Sequence, residues 1–308
     1  MDDATGETLF ATAEEEGMRL DLFLARRYEE GLSRNYFQQL IEAGAVLLNG
    51  KRCKKRHKIA CADQVSVIFL ITRELTLEPQ AIPLQIIYED EHLIAVDKPP
   101  GMVVHPAPGN WSGTFVNALL YHCKNLLETS SDNVRPGIVH RLDKETSGLL
   151  VAAKTAIAHQ KLVELFMQRK VYKSYLAICC GAPGTGCVDL AIGRHPVERK
   201  KMAVLDCGGK EAITVYETLA RDGELSLLSV EIKTGRTHQI RVHMAHLGAP
   251  VLGDSTYGNS TKNRKYSAKR QLLHAHKLAF THPISGEPLA LTAPIPDDMR
   301  RFSTLFRL

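Results

Sequence analysis

Apolar residues recur at helical spacing twice near the start of the chain. Leu20, Phe23 and Leu24 share one face, Gly31 interrupts, and Phe37, Leu40 and Ile41 repeat the pattern. Ser33 is a good N-cap for this second helix, and Gly44 is placed to end it. The pattern then shortens. Val46, Leu47 and Leu48 precede Asn49-Gly50, a strong hairpin signal, and an apolar strand over residues 65–70 closes a small unit. Residues 1–16 carry Asp2, Asp3, Glu7, Glu14, Glu15 and Glu16 without any period, which predicts a disordered acidic tail.

Pro79 and Pro83 mark a linker, so the expected divisions are a tail over 1–16, a small domain over 17–76 and a larger one over 83–308. In the larger part, residues 84–88 and 93–96 form a strand pair joined through Glu89-Asp90-Glu91. Pro99-Pro100-Gly101 forces a turn. Helices are expected over 114–121 and 156–169, the second with Leu162, Leu165 and Phe166 on one side. Strands are expected over 149–153, 172–180, 214–219 and 226–232. Thr237 can cap a helix with the stripe Ile240, Met244 and Leu247, ended by Gly248 and Pro250. Strands outnumber helices without strict alternation, which indicates an α+β fold.

A length of 308 residues agrees with two domains. No apolar run approaches the ~18 residues of a membrane span. The acidic start is the wrong charge for a signal peptide. Seven Cys without a C-x-x-C spacing argue against a disulfide framework and a zinc site. A cytoplasmic protein with no membrane partner is expected. The 39 Lys+Arg and 34 Asp+Glu leave only +5, yet the positive charge is segregated. Residues 51–58 hold six Lys/Arg and no acid, and so do residues 262–277; Arg194 with Arg199-Lys200-Lys201 forms a third cluster. Solvated edges explain one such cluster, but three favour a nucleic acid.

The loop from His140 to Gly148 concentrates ionisable groups between apolar strands. It reads either as a polar turn or as a carboxylate, Asp143, held at a strand end and paired to an arginine. Leu142 could pin it to the core, and Glu145 leaves a glycosidase-like pair open. His238, His243, His246, His274 and His276 lack acidic or Cys neighbours other than Asp254. They read as hydrogen-bonding groups, and no metal is expected. The Thr234-Gly235-Arg236 turn could present backbone N–H groups to an anion.

Taken in order, these motifs resemble the RluA-type pseudouridine synthases. The catalytic H-R-L-D-x-x-T-S-G-L pattern matches His140 to Leu149, and Lys98-Pro99-Pro100-Gly101 is similar to the family's K-P-x-G turn. Lys173-Ser174-Tyr175-Leu176-Ala177, the stretch from Thr234 to His243, and Leu273-His274-Ala275 extend the match. Residues 17–70 resemble an S4 RNA-binding domain. The resemblance implies a small S4 domain followed by a catalytic domain with a mixed, largely antiparallel sheet and a central cleft. It implies isomerisation of uridine to pseudouridine without cofactor or metal. Asp143 matches the essential aspartate, Tyr175 the active-site tyrosine that packs on uracil and takes the C5 proton, and Arg241 the arginine paired with the aspartate. Arg141 matches the arginine that helps displace the nucleotide. Further candidate RNA contacts are His140, Arg236 and His238 around the loop, and Arg34, Lys51, Arg52, Lys54, Lys55 and Arg56 in the S4-like segment. The expected partner is large-subunit ribosomal RNA or a pre-ribosomal large subunit, met by a monomer. Transfer RNA and a non-catalytic RNA-binding role in ribosome assembly are the alternatives.

Overall fold

A computed structural model describes residues 6–28, 34–69, 77–106, 110, 112–124, 126, 136–198 and 201–306. The chain divides into two units, Met1–Thr76 and Leu77–Leu308.

In the first unit, strands β1 (Gly6–Phe10), β2 (Val46–Leu48), β3 (Lys51–Arg52) and β4 (Gln64–Ile68) form an antiparallel sheet in the order β1-β4-β2-β3. Helices α1 (Leu20–Arg27) and α2 (Arg34–Ala43) bury Phe23, Leu24, Phe37 and Leu40 with Val46, Val65 and Val67. Asn49 (φ 50°) and Gly50 (φ 74°) both adopt positive φ, as a type I′ hairpin turn requires. The turn leads into exposed Lys51 and Arg52.

The acidic start is not a disordered tail where it is described. Gly6 to Phe10 pair with Ile68 to Gln64, and a 3-10 turn follows at Ala13–Glu15. Two effects outweigh the acidic composition. The open edge of β4 supplies backbone partners, and Arg27 donates to both carboxylate oxygens of Glu15, at 2.7 and 2.8 Å. The break at Gly31, the cap at Ser33 and the end of the expected strand at Leu70 lie outside the described residues, as do Arg199 and Lys200.

The second unit is built on a nine-stranded sheet. Its strands are β5 (Gln85–Glu89), β6 (Leu93–Lys98), β7 (Ser147–Ala153), β8 (Tyr172–Cys180), β9 (Thr185–Asp189), β12 (Ile213–Asp222), β13 (Leu225–Ile232), β14 (Leu273–Thr281) and β15 (Pro288–Thr292). The order is β5-β6-β7-β14-β8-β13-β12-β9, with β15 also on β14. Among these pairs only β7 and β14 run parallel, so the sheet is mixed and largely antiparallel. Strands β10 (Ile192–Arg194) and β11 (Met202–Val204) form a separate ribbon. Helices α3 (Phe115–His122), α4 (Ala156–Met167), α5 (Gln239–His246), α6 (Ser260–Lys265) and α7 (Asp297–Arg300) flank the sheet. A side-chain carbon at Gly148 (φ 109°) would meet the Ala275 carbonyl oxygen at 2.3 Å, so only glycine lets β7 approach β14 here.

Two boundaries differ from expectation. The Pro79–Pro83 stretch belongs to the second unit: Leu77 is buried in its core, and Gln80 N–H bonds the Asn117 carbonyl. Local composition reads as a linker because the anchoring partner is far away in sequence. Thr237 does not cap α5 either. That position falls to His238, whose φ of 58° lies in the left-handed region.

Candidate active site

Residues 140–146 form an irregular segment that runs into β7 and is tied down from several sides. Leu142 is buried in the core. The Lys144 carbonyl accepts from Gly101 N–H at 2.9 Å and from Lys98 Nζ at 3.2 Å. Arg270 Nη1 donates to the Glu145 carbonyl at 3.0 Å, and Gln271 Nε2 to Thr146 Oγ1 at 3.0 Å. Lys98 is fully buried and also donates to the carbonyls of Pro99 and Met102. Burial pulls its pKa down to about 7, against the pull of Glu145 and Asp143. The loop is therefore held rigidly by backbone contacts, as a preorganised site requires.

Asp143 faces a pocket lined by Arg141, Thr146, Tyr175, Arg236, His238 and Arg241. Arg241, on α5, donates Nη1 to Asp143 Oδ2 at 2.9 Å. Its other edge grips Asp254, Nε to Oδ2 at 2.7 Å and Nη2 to Oδ1 at 3.0 Å. Asp254 Oδ1 accepts from the backbone N–H of Thr256 and Tyr257 as well. Burial opposes the charge on both groups. The two carboxylates nevertheless push Arg241 up, and Arg241 holds Asp254 below the usual carboxylate range. The planar guanidinium fixes two anions at once, and its carbon lies 5.1 Å from the Tyr257 ring centroid. Gly253 (φ 83°) makes this possible, since a side-chain carbon there would sit 1.8 Å from the Arg270 carbonyl oxygen.

His238 stands beside Asp143. Its Nδ1 lies 2.8 Å from Tyr257 Oη, which also accepts from Met202 N–H at 2.8 Å. Its Nε2 lies 3.9 Å from Asp143 Oδ2. Burial pushes the pKa of His238 down, against Asp143. Imidazole and carboxylate thus face one pocket. A non-glycine residue in left-handed backbone costs of order 1–3 kcal/mol and concentrates at functional sites.

The structure brings Asp143, Tyr175, Arg241, Arg141, Arg236 and His238 to one pocket. Glu145 does not line it, which removes the glycosidase-like pair. The other candidates separate. His140 is engaged locally: its Nε2 accepts from Val151 N–H at 3.0 Å, and its ring stacks on Phe166 at 4.8 Å. Burial, helped by Lys173, lowers its pKa to about 3. Arg34 is committed to buried Asp21, which Arg19 and Gln38 also hold. Lys55 pairs with Glu42, while Lys51, Arg52, Lys54 and Arg56 remain exposed. Half of the 262–277 cluster has carboxylate partners: Lys262 and Lys265 pair with Glu224, and buried Arg270 with Asp298. Tyr175 lines the pocket beside Asp143. Burial and Asp143 push its phenol up, so it keeps its proton and offers a packing face. Of the other histidines, His243 bonds Thr214 and Leu190, His274 bonds Ser147 and His276 bonds the Ala293 carbonyl. Asp254 and Tyr257 were invisible as site residues, since nothing in the sequence links them to positions 143 and 241.

Two neutral histidines, buried His274 and half-buried His140, predict how stability varies with pH. His274, bonded to Ser147 at 3.0 Å, has its pKa lowered by burial to about 4, and His140 to about 3. In the unfolded chain both take up protons near ~6.5. Between these limits the unfolded state binds more protons, so stability is full above ~6.5 and is lost as pH falls through about 4 and about 3. Urea unfolding of the full chain should show a falling midpoint from pH 7 to pH 4. His274→Gln should flatten that dependence, and an unflattened profile would remove His274 as its source.

Comparison with known proteins answers what such a pocket belongs to. Residues 92–246 match the family model for RNA pseudouridylate synthase, and residues 18–65 match the S4 domain. The chain is 42% identical over 302 residues to the ribosomal large subunit pseudouridine synthase D of Xanthomonas campestris pv. campestris, covering 94% of this chain and 89% of that protein. It is 44% identical over 304 residues to the protein of the same name from Zymomonas mobilis, covering 96% and 95%. Among solved structures, human RNA Pseudouridylate Synthase Domain Containing 1 superposes with a TM-score of 0.57 at 27% identity, over 70% of this chain and 84% of that one. Family model, relatives and solved neighbour agree with one another: the chain belongs to the RNA pseudouridylate synthase family.

Proposed function

We propose that this protein converts specific uridines of large-subunit ribosomal RNA to pseudouridine, with Asp143 as the reacting carboxylate. The supporting observation is the chain of contacts Asp254–Arg241–Asp143, which aims one carboxylate into a pocket beside Tyr175. The names of the Xanthomonas and Zymomonas relatives support the choice of RNA. A ribosomal substrate would place the reaction in the cytoplasm.

In the reaction, the N1–C1′ bond breaks, the uracil turns, and a C5–C1′ bond forms. One proton leaves C5 and N1 gains one, so the product is an isomer and no electrons are exchanged. The uridine first leaves its stack, at a cost of a few kcal/mol. Exposed Arg141, at the mouth of the pocket, can occupy the vacated space. Asp143 then meets the sugar at C1′ or at the neighbouring C2′ hydrogen, its rotamer set by Arg241. Tyr175 packs against the uracil while it turns. His238 offers its Nε2 to a sugar hydroxyl, and Arg236 lies at the same rim. In the S4 unit, Lys51, Arg52, Lys54 and Arg56 offer exposed charge to phosphates.

Incubation of the purified protein with unmodified large-subunit ribosomal RNA tests this reading. Pseudouridine should appear at defined positions, with RNA mass unchanged and no free uracil. Released uracil would indicate a hydrolase, and modification of transfer RNA alone would move the substrate.

A further inference from the structure

A groove of ≈ 430 Å³ opens beside the pocket and shares Arg141, Tyr175 and Arg236 with it. Phe166, Arg169, Lys173 and Lys233 line its far side, and no acidic side chain among the described residues does. Most of these cations already have partners. Arg169 pairs with Glu211, Lys233 with Glu231, and Arg236 Nε donates to the Glu211 carbonyl.

Lys173 is different. It lies two residues before Tyr175 on β8, and the two-residue period of a strand puts both on one face of the sheet. The residue is 8% exposed, and among the described residues its ammonium has no hydrogen bond and no carboxylate within ion-pair distance. Its described contact is with the Phe166 ring, 5.7 Å from the centroid. Glu231 acts on it only from beyond ion-pair distance, while burial, Arg169 and Lys233 disfavour its charge, so an anion arriving in the groove would stabilise the ammonium. His140 lines the same groove, stacked on Phe166, and burial together with Lys173 lowers its pKa to about 3, so it adds no positive charge there.

We propose that this groove is a phosphodiester subsite for the strand flanking the target uridine, with Lys173 as its buried cation. The subsite rests on the proposed function for the identity of the polymer. Its place in the chemistry follows from continuity: a nucleotide turned into the pocket leaves its neighbouring linkage at the shared rim formed by Arg141 and Arg236. An ammonium fixed by the sheet then holds one phosphate, whereas the surface cations attract the strand without fixing it.

Binding of labelled RNA, read by anisotropy, tests the subsite without requiring turnover. The probe is a ribosomal RNA fragment spanning a converted uridine, made with single methylphosphonate linkages around that position. Lys173→Met should weaken binding of unmodified RNA roughly tenfold. Wild type should lose a similar factor at one neutralised linkage next to the uridine, and Lys173→Met should lose nothing more there. Lys173→Arg should recover most of the affinity, which a packing defect would not allow. Equal losses in wild type and Lys173→Met at every linkage, or unchanged affinity in Lys173→Met, would overturn the subsite. If wild type converts no uridine in ribosomal RNA, the functional reading fails separately. The same three proteins titrated with oligouridylate then decide whether Lys173 binds phosphate.

Discussion

Asp143→Asn should reduce pseudouridine formation to background. Asparagine keeps the shape of the side chain but can neither attack C1′ nor remove a sugar proton. The loss should exceed the ~2.7–4 kcal/mol typical of deleting one oxyanion-hole donor, which is more than about a thousandfold in rate. RNA affinity should stay close to wild type, because phosphate contacts come from the basic side chains. Folding should also survive, since Arg241 keeps both bonds to Asp254. Glu145→Gln is the control. That side chain does not line the pocket, and its backbone carbonyl is what Arg270 uses. Single-turnover assays on the two variants should therefore separate completely. Activity retained in Asp143→Asn and lost in Glu145→Gln would reverse the assignment.

Asp254→Asn should have the second largest effect, and it acts without touching RNA. Asp254 is 1% exposed and Arg241 5%, so removing one charge leaves a buried guanidinium with only Asp143 as counter-ion. Breaking a buried pair in this way costs about 3–5 kcal/mol. For a unit of this size that corresponds to a fall in thermal midpoint of roughly 10 °C. Below that midpoint the variant should still be slow, by about a hundredfold, because Arg241 no longer holds Asp143 at one angle. KM for RNA should change little. A folded Asp254→Asn protein with wild-type turnover would show that the second carboxylate is structural only.

Much of the fold was legible because it is written locally. Asn49-Gly50 announces its turn, Leu20, Phe23 and Leu24 face one way, and β8 ends in an apolar run from Tyr175 to Cys180. The His140–Gly148 loop was legible through its motif, including Leu142 as the residue that pins it. What stayed hidden depends on partners distant in sequence. β1 forms on the edge of β4, some 55 residues later, and residues 77–83 are anchored by Asn117. Charge runs misled for the same reason. Arg34 and Arg270 look like phosphate ligands, but Asp21 and Asp298 consume them. Conversely, Lys173 looks like an ordinary strand residue until the groove around it is seen.

The most direct test of the central claim is pseudouridine mapping of ribosomal and transfer RNA from cells lacking this protein, complemented with wild type or Asp143→Asn. The account predicts that defined large-subunit ribosomal RNA positions lose pseudouridine, that wild type restores them and that Asp143→Asn does not. Unchanged ribosomal RNA in the deleted strain, or restoration by Asp143→Asn, would contradict it.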